Sequence, residues 1–235
     1  MTPRMTMAVA VLVLGATGPS LSPTFAQNIP RDVKGRADLS GVWMRPDTGR
    51  LQNEPPPYTP AALARHQELR NRIGIDDPMG RCLGPGVPRS WTLPAPFKII
   101  QLPDEIVVLY EFLNGIRTIP TNGGAHPDEE PRFYGTSVAR WEGDTLVIDV
   151  RNFNGKTWLG NGATHHSDQL TIIERLRRTG PGSLSYEATL TDPVVFTKPW
   201  TIRHVFELRP DERIREYVCE ETDADRPDAA NLPKQ

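Results

Sequence analysis

The chain has 235 residues, and its 27 lysines and arginines nearly balance 29 aspartates and glutamates, for a formal net charge of −2. The two signs are interleaved. There is no basic stripe for nucleic acid and no basic amphipathic helix for a membrane surface, so the expected partner is a small-molecule substrate or ligand. With 24 prolines and 19 glycines, long helices are excluded as the main architecture, and short strands joined by tight turns are expected.

The N-terminus opens with Arg4, an apolar run from Met5 to Ala16, and Thr24-Phe25-Ala26. That is the pattern of a signal peptide, residues 1–26, cleaved after a small residue. The apolar run is about a dozen residues, short of the roughly 20 that cross a bilayer. The mature protein is therefore expected to be periplasmic or secreted and free of the membrane. Residues 27–96 read as an N-terminal segment: a short strand over 38–43, a helix over 61–73 introduced by Thr59 and Pro60, and a proline-rich loop over 76–96. From residue 97 the period is two. Strands are expected over 97–102, 106–112, 115–120, 134–141, 145–151, 170–178, 183–191, 200–208 and 213–220. Asn114-Gly115, Glu142-Gly143-Asp144 and Gly180-Pro181-Gly182 provide the turns. The alternation leaves Leu184, Tyr186, Ala188 and Leu190 on one dry face, and Leu146, Ile148 and Val150 on another. The fold class that follows is all-β, an antiparallel barrel of about ten strands with one short helix. Residues 97–222 form the barrel body in a single domain with 38–96, and 223–235 a flexible tail.

The chain contains two cysteines, Cys82 and Cys219. In an oxidising compartment such a pair reads as a disulfide tying the proline-rich loop to the C-terminal edge; the other reading is a catalytic thiol.

Several blocks together resemble a widespread family of exported bacterial lipocalin-like β-barrel proteins: Leu39-Ser40-Gly41-Val42-Trp43, Trp141-Glu142-Gly143-Asp144-Thr145-Leu146-Val147, Thr197-Lys198-Pro199-Trp200-Thr201 and Glu216-Tyr217-Val218-Cys219-Glu220. The resemblance spans about residues 38–221. It implies a lipocalin-like barrel and brings no reaction with it. At Thr164-His165-His166-Ser167 the chain lacks the proline that precedes the family's His-Ser pair.

Candidates for chemistry are polar residues set in loops or on apolar faces. His166, beside His165 in a polar loop, is the first candidate base, since an imidazole titrates near neutrality. Glu111, placed at the end of an apolar strand, is a candidate acid or a salt-bridge partner of Arg117. His204 lies on the face of Ile202, Phe206 and Leu208, and Glu174 on that of Ile172 and Leu176; each is a satisfied core residue or a cavity group. Trp158 and Trp200 are candidate aromatic walls. Arg89, Lys198, Arg117 and His126 are candidate contacts to a polar substrate. No cofactor fingerprint or metal-ligand motif is present, so proton transfer without a cofactor is the expected chemistry. The leading reading is a lyase or isomerase acting on a phenolic, glycosidic or keto compound. The alternatives are a non-catalytic lipocalin-like ligand-binding protein, or an envelope protein docking through its prolines at 54–60.

Overall fold

The period-two segments fold as nine antiparallel strands in the computed structural model, which describes residues 29–46 and 53–219. They are β1 (Gly41–Met44), β2 (Phe97–Gln101), β3 (Glu105–Tyr110), β4 (Gly115–Pro120), β5 (Thr136–Glu142), β6 (Thr145–Arg151), β7 (Thr171–Gly180), β8 (Ser183–Thr191) and β9 (Trp200–Leu208). The expected signal peptide and C-terminal tail lie outside the described residues. The spatial order is β4-β3-β2-β1-β9-β8-β7-β6-β5. The two end strands, β4 and β5, come back side by side. The protein is thus all-β, a nearly closed antiparallel barrel of lipocalin-like form, with a seam between β4 and β5.

The alternation seen in the sequence is the alternation of the wall. Leu184, Tyr186, Ala188 and Leu190 of β8 and Leu146, Ile148 and Val150 of β6 are buried, while the residues between them in β8 face outward. One short helix of consequence, α1 (Pro60–Arg70), lies on the flank; Thr59 Oγ1 caps it by accepting from the Ala62 amide at 3.3 Å. It buries only Ala62 and Leu69. A four-residue turn of helix, α2 (Ile73–Asp76), and the equally short α3 (Arg89–Thr92) belong to the proline-rich segment. α3 places Trp91 inside the barrel, its ring centroid 4.8 Å from Phe97, 5.2 Å from Tyr110 and 5.5 Å from Tyr186.

Two expectations are corrected. The strand expected over 106–112 ends at Tyr110. Leu113 and Asn114, rather than Asn114 and Gly115, take the left-handed conformation (φ 56° and 49°) in the connection to β4. Glu111 therefore sits in a turn. The strand expected at 213–220 does not form among its described residues. The Arg215 amide donates to Glu111 Oε2 (2.9 Å) and the Tyr217 amide to Asn114 Oδ1 (3.2 Å), so side chains of the β3–β4 connection take the bonds a neighbouring strand would have taken. The segment runs as a strap, held at its end by the Cys82–Cys219 disulfide.

Candidate active site at the barrel seam

Glu174 points into the barrel from β7 and is completely buried. A bare carboxylate there would cost several kcal/mol, so it has to be paired and hydrogen-bonded. Three donors meet it. Trp91 Nε1 and Tyr186 Oη donate to Oε1 at 2.7 and 2.8 Å, and Arg117 Nη2 donates to Oε2 at 2.5 Å. Arg117 comes from β4, where its side chain shares the inner face with Ile119. It also reaches across the seam, with Nε and Nη2 donating to Ser137 Oγ of β5 at 3.0 and 2.8 Å. The barrel is thus stitched at its open side by a guanidinium.

The network is neutral overall and leaves donors over. Arg117 Nη1 and Tyr110 Oη are buried without accessible surface and have no other hydrogen-bond partner, and the Tyr110 hydroxyl lies within hydrogen-bond reach of the guanidinium. Ser137 Oγ accepts twice from Arg117, so its own O–H has no acceptor among the described residues. Burial raises the pKa of Tyr110 well above the ordinary phenol value; Arg117 opposes that rise and Glu174 adds to it. Burial likewise raises Tyr134. Both phenols remain protonated donors at neutral pH. The Arg117 cation is disfavoured by burial, but Glu174 more than offsets this and its pKa rises.

Outside this network the seam opens into a groove of about 910 Å³, lined by Arg117, Ser137, Thr136, Tyr134, Phe133 and Ile116 and roofed by the 122–132 loop. Tyr134 is stacked on Tyr110, with centroids 5.8 Å apart and planes 21° apart. Its hydroxyl lies 3.2 Å from Ser90 Oγ and directly over Gly115, where any Cβ would overlap it.

His126 lies in the roofing loop. Its Nδ1 is 3.0 Å from Thr136 Oγ1, and its Nε2 is 3.5 Å from Asp149 Oδ1. Nε2 makes no hydrogen bond at that distance; with the proton on Nε2, toward the carboxylate, Nδ1 is left to accept from the threonine hydroxyl. Asp149 stays ionised: burial would raise its pKa, but the hydrogen bond from Arg151 and the nearby His126 lower it below the ordinary carboxylate range. Carboxylate, imidazole and hydroxyl thus stand in sequence, and the hydroxyl belongs to a residue lining the groove.

The remaining candidates lie elsewhere. His166, expected as a loop base at the barrel mouth, is buried, with Nε2 2.7 Å from Thr157 Oγ1 and Nδ1 2.8 Å from the Ser167 carbonyl. Both ring nitrogens are engaged, and burial lowers its pKa. Glu111 caps the strap, and the partner of Arg117 is Glu174, not Glu111. His204 is on the inner face as its periodicity required. It is half-buried, its pKa lowered to about 4 by burial and by the Arg45 cation. Arg89 is buried and forked onto Asp77 at 2.7 and 2.6 Å, with its guanidinium 5.8 Å from the Trp158 ring centroid. Trp158 is buried with Leu69 and Ala163, away from the seam. Trp200 donates to the Glu54 carbonyl at 2.9 Å and, with Lys198, borders a surface groove along the prolines at 55–57. Of the expected site residues, the structure brings Arg117 to the seam groove, and it puts His126 in the adjoining loop, where it lines a neighbouring cleft with Asp149.

Trp91, Ser137 and Tyr134 are site residues outside the candidates that the sequence offers. Ser137 had a usable signal, a small polar residue in register with Ala139 on an inner face. Trp91 and Tyr134 lie in irregular segments where no periodicity marks them. Among the described residues no three histidine, cysteine or acidic side chains converge as a metal site, and no helix is long and apolar enough to cross a membrane. No family model matches the chain, and no curated protein matches it either.

Proposed function

We propose that the protein is an acid–base enzyme, a lyase or isomerase, whose small phenolic, glycosidic or keto substrate lies in the seam groove. The observation that carries this reading is a groove lined both by Ser137, whose O–H is unclaimed beside the buried Arg117–Glu174 pair, and by Thr136, whose hydroxyl is backed by an imidazole and a carboxylate. A substrate oxygen accepts from Ser137 O–H, and charge developing on it is stabilised there by this donor and by the Arg117 cation behind it; one such donor is worth about 10²–10³ in rate. A proton leaves the substrate by way of Thr136 Oγ1 to His126 Nδ1, with Asp149 holding the imidazole in the accepting tautomer. A positioned base contributes about 10²–10⁴. No cofactor is required for these steps.

The test is deuterium incorporation from heavy water, followed by mass spectrometry on pooled phenolic, glycosidic and keto compounds. Thr136→Val and His126→Asn are expected to reduce exchange or turnover at least about a hundredfold while leaving ligand affinity near that of the unaltered protein. Retention of a compound in the groove with neither exchange nor product would make the protein a lipocalin-like carrier. Full activity in both variants would remove the proton path.

A further inference from the structure

We infer that the seam site selects an uncharged carbonyl compound over the corresponding carboxylate, and that Glu174 sets this preference. The inference rests on reading the seam groove as the substrate site, and it names the substrate class. A buried arginine on a groove floor ordinarily suggests an anion, because the guanidinium fork matches a carboxylate with two parallel N–H bonds. Here the fork is already spent. Nη2 serves Glu174 and Ser137, Nε serves Ser137, and Nη1 is buried without accessible surface in a guanidinium that lies against the Tyr110 hydroxyl.

The charge is spent as well. Arg117 and Glu174 neutralise each other at 2.5 Å, and the other groups packed on them, Trp91, Tyr110 and Tyr186, are neutral. At the loop, Arg132 and Glu129 cancel as a pair at 2.8 Å. A bound carboxylate would therefore add an uncompensated negative charge one guanidinium away from Glu174, inside a weakly screening interior. A ketone, ester or lactone oxygen accepts from Ser137 O–H without that cost. It gains from Arg117 only when negative charge develops on it during proton removal. The apolar part of the molecule lies against Ile116, Phe133 and Tyr134; the Ile116 side, 66% exposed, leaves room for a ring.

The experiment uses the full-length chain and two matched probe pairs, acetophenone with benzoate and phenylacetone with phenylacetate. Affinities are read by ligand-observed NMR at neutral pH. Each ketone is expected to bind at least roughly tenfold tighter than its carboxylate. Ser137→Ala should weaken the ketones several-fold with little effect on the carboxylates. Glu174→Gln keeps an acceptor for Trp91 and Tyr186 but gives the site a net positive charge, so the preference should reverse toward the carboxylates. If Glu174→Gln does not fold, the unaltered protein and Ser137→Ala decide. Equal or tighter binding of the carboxylates to the unaltered protein overturns the inference and leaves the groove as a binding site. Failure of all four probes to bind, or ketone binding indifferent to Ser137→Ala, overturns the seam site itself.

Discussion

The buried pair of Arg117 and Glu174 makes a stability prediction that can be worked through. Glu174→Gln leaves an oxygen for Trp91 and Tyr186 but removes the charge and replaces the acceptor of Arg117 Nη2 by an NH2 donor, so the Arg117 cation stays buried without a counterion. Arg117→Met does the converse to the carboxylate. Breaking a buried pair from one side costs about 3–5 kcal/mol. The double substitution buries no ion. It loses the hydrogen bonds to Ser137, each worth about 1 kcal/mol, and should cost only about 1–2 kcal/mol relative to the unaltered protein. The coupling energy in the double-mutant cycle is then at least about 4 kcal/mol, far above the roughly 0.5 kcal/mol within which independent sites add. Urea unfolding followed by tryptophan fluorescence measures all four corners, with unchanged m-values as the check that the end states are comparable. Additivity within that margin would refute the electrostatic account and would also remove the basis for Glu174 as the selector of substrate charge.

Three further outcomes are expected. His165, His166 and His204 all have ring pKa values lowered by burial. The unfolded chain therefore binds more protons below about pH 6.5, and stability present above that pH is lost as pH falls toward 4. His204 accounts for about 2 kcal/mol of the loss after allowance for its partial exposure, and His204→Phe should flatten that part of an acid titration followed by circular dichroism. The Cys82–Cys219 bond spans 137 residues, so replacing both cysteines with alanine should cost roughly 5 kcal/mol in the chain-entropy model and lower Tm by about 10–15 °C in a calorimetric scan. Gly115→Ala introduces no backbone strain, since φ is −67°, but its Cβ displaces the Tyr134 hydroxyl. It should abolish probe binding in the seam groove, and Tyr134→Phe in the same chain should restore part of that binding.

The wall of the barrel was legible because a strand with one wet and one dry face declares its register. β4, β8 and β9 fall where the alternation and turn residues put them, and Glu174 and His204 take the inner face that their spacing assigned. The errors came where bonds run to side chains instead of to a neighbouring strand. Glu111 continued an apolar alternation, but two left-handed residues after it turned the chain one position early. The 213–219 segment alternates like a strand, yet Glu111 and Asn114 accept its amide hydrogens. His166 looked solvated because its loop is polar; Thr157 and the Ser167 carbonyl, which engage its nitrogens, have no signature in the sequence. The site was half legible for the same reason. Arg117 and Glu174 are on strands, but Trp91 reaches Glu174 from the one-turn helix α3 and Tyr134 stacks on Tyr110 from a loop, and the paths of both segments are set only by packing.

The position of β1 bears on how the chain reaches this state. β1 is the first strand in sequence, yet it is wedged between β2 and β9, pairing Trp43 with Phe97 on one side and with Leu208 on the other. A chain synthesised only as far as β7 can form the local hairpins but has no partner for the far edge of β1. The two arms of the barrel, β1 to β4 and β5 to β9, are joined by the pairing of β1 with β9, whose ends lie some 165 residues apart. Contacts of that span require a large loop-closure entropy before any native burial offsets it, and they place the protein among slow, high-contact-order folders. The last-made strand completes the wall, so truncation before Leu208 should yield two open-edged sheets rather than a smaller barrel.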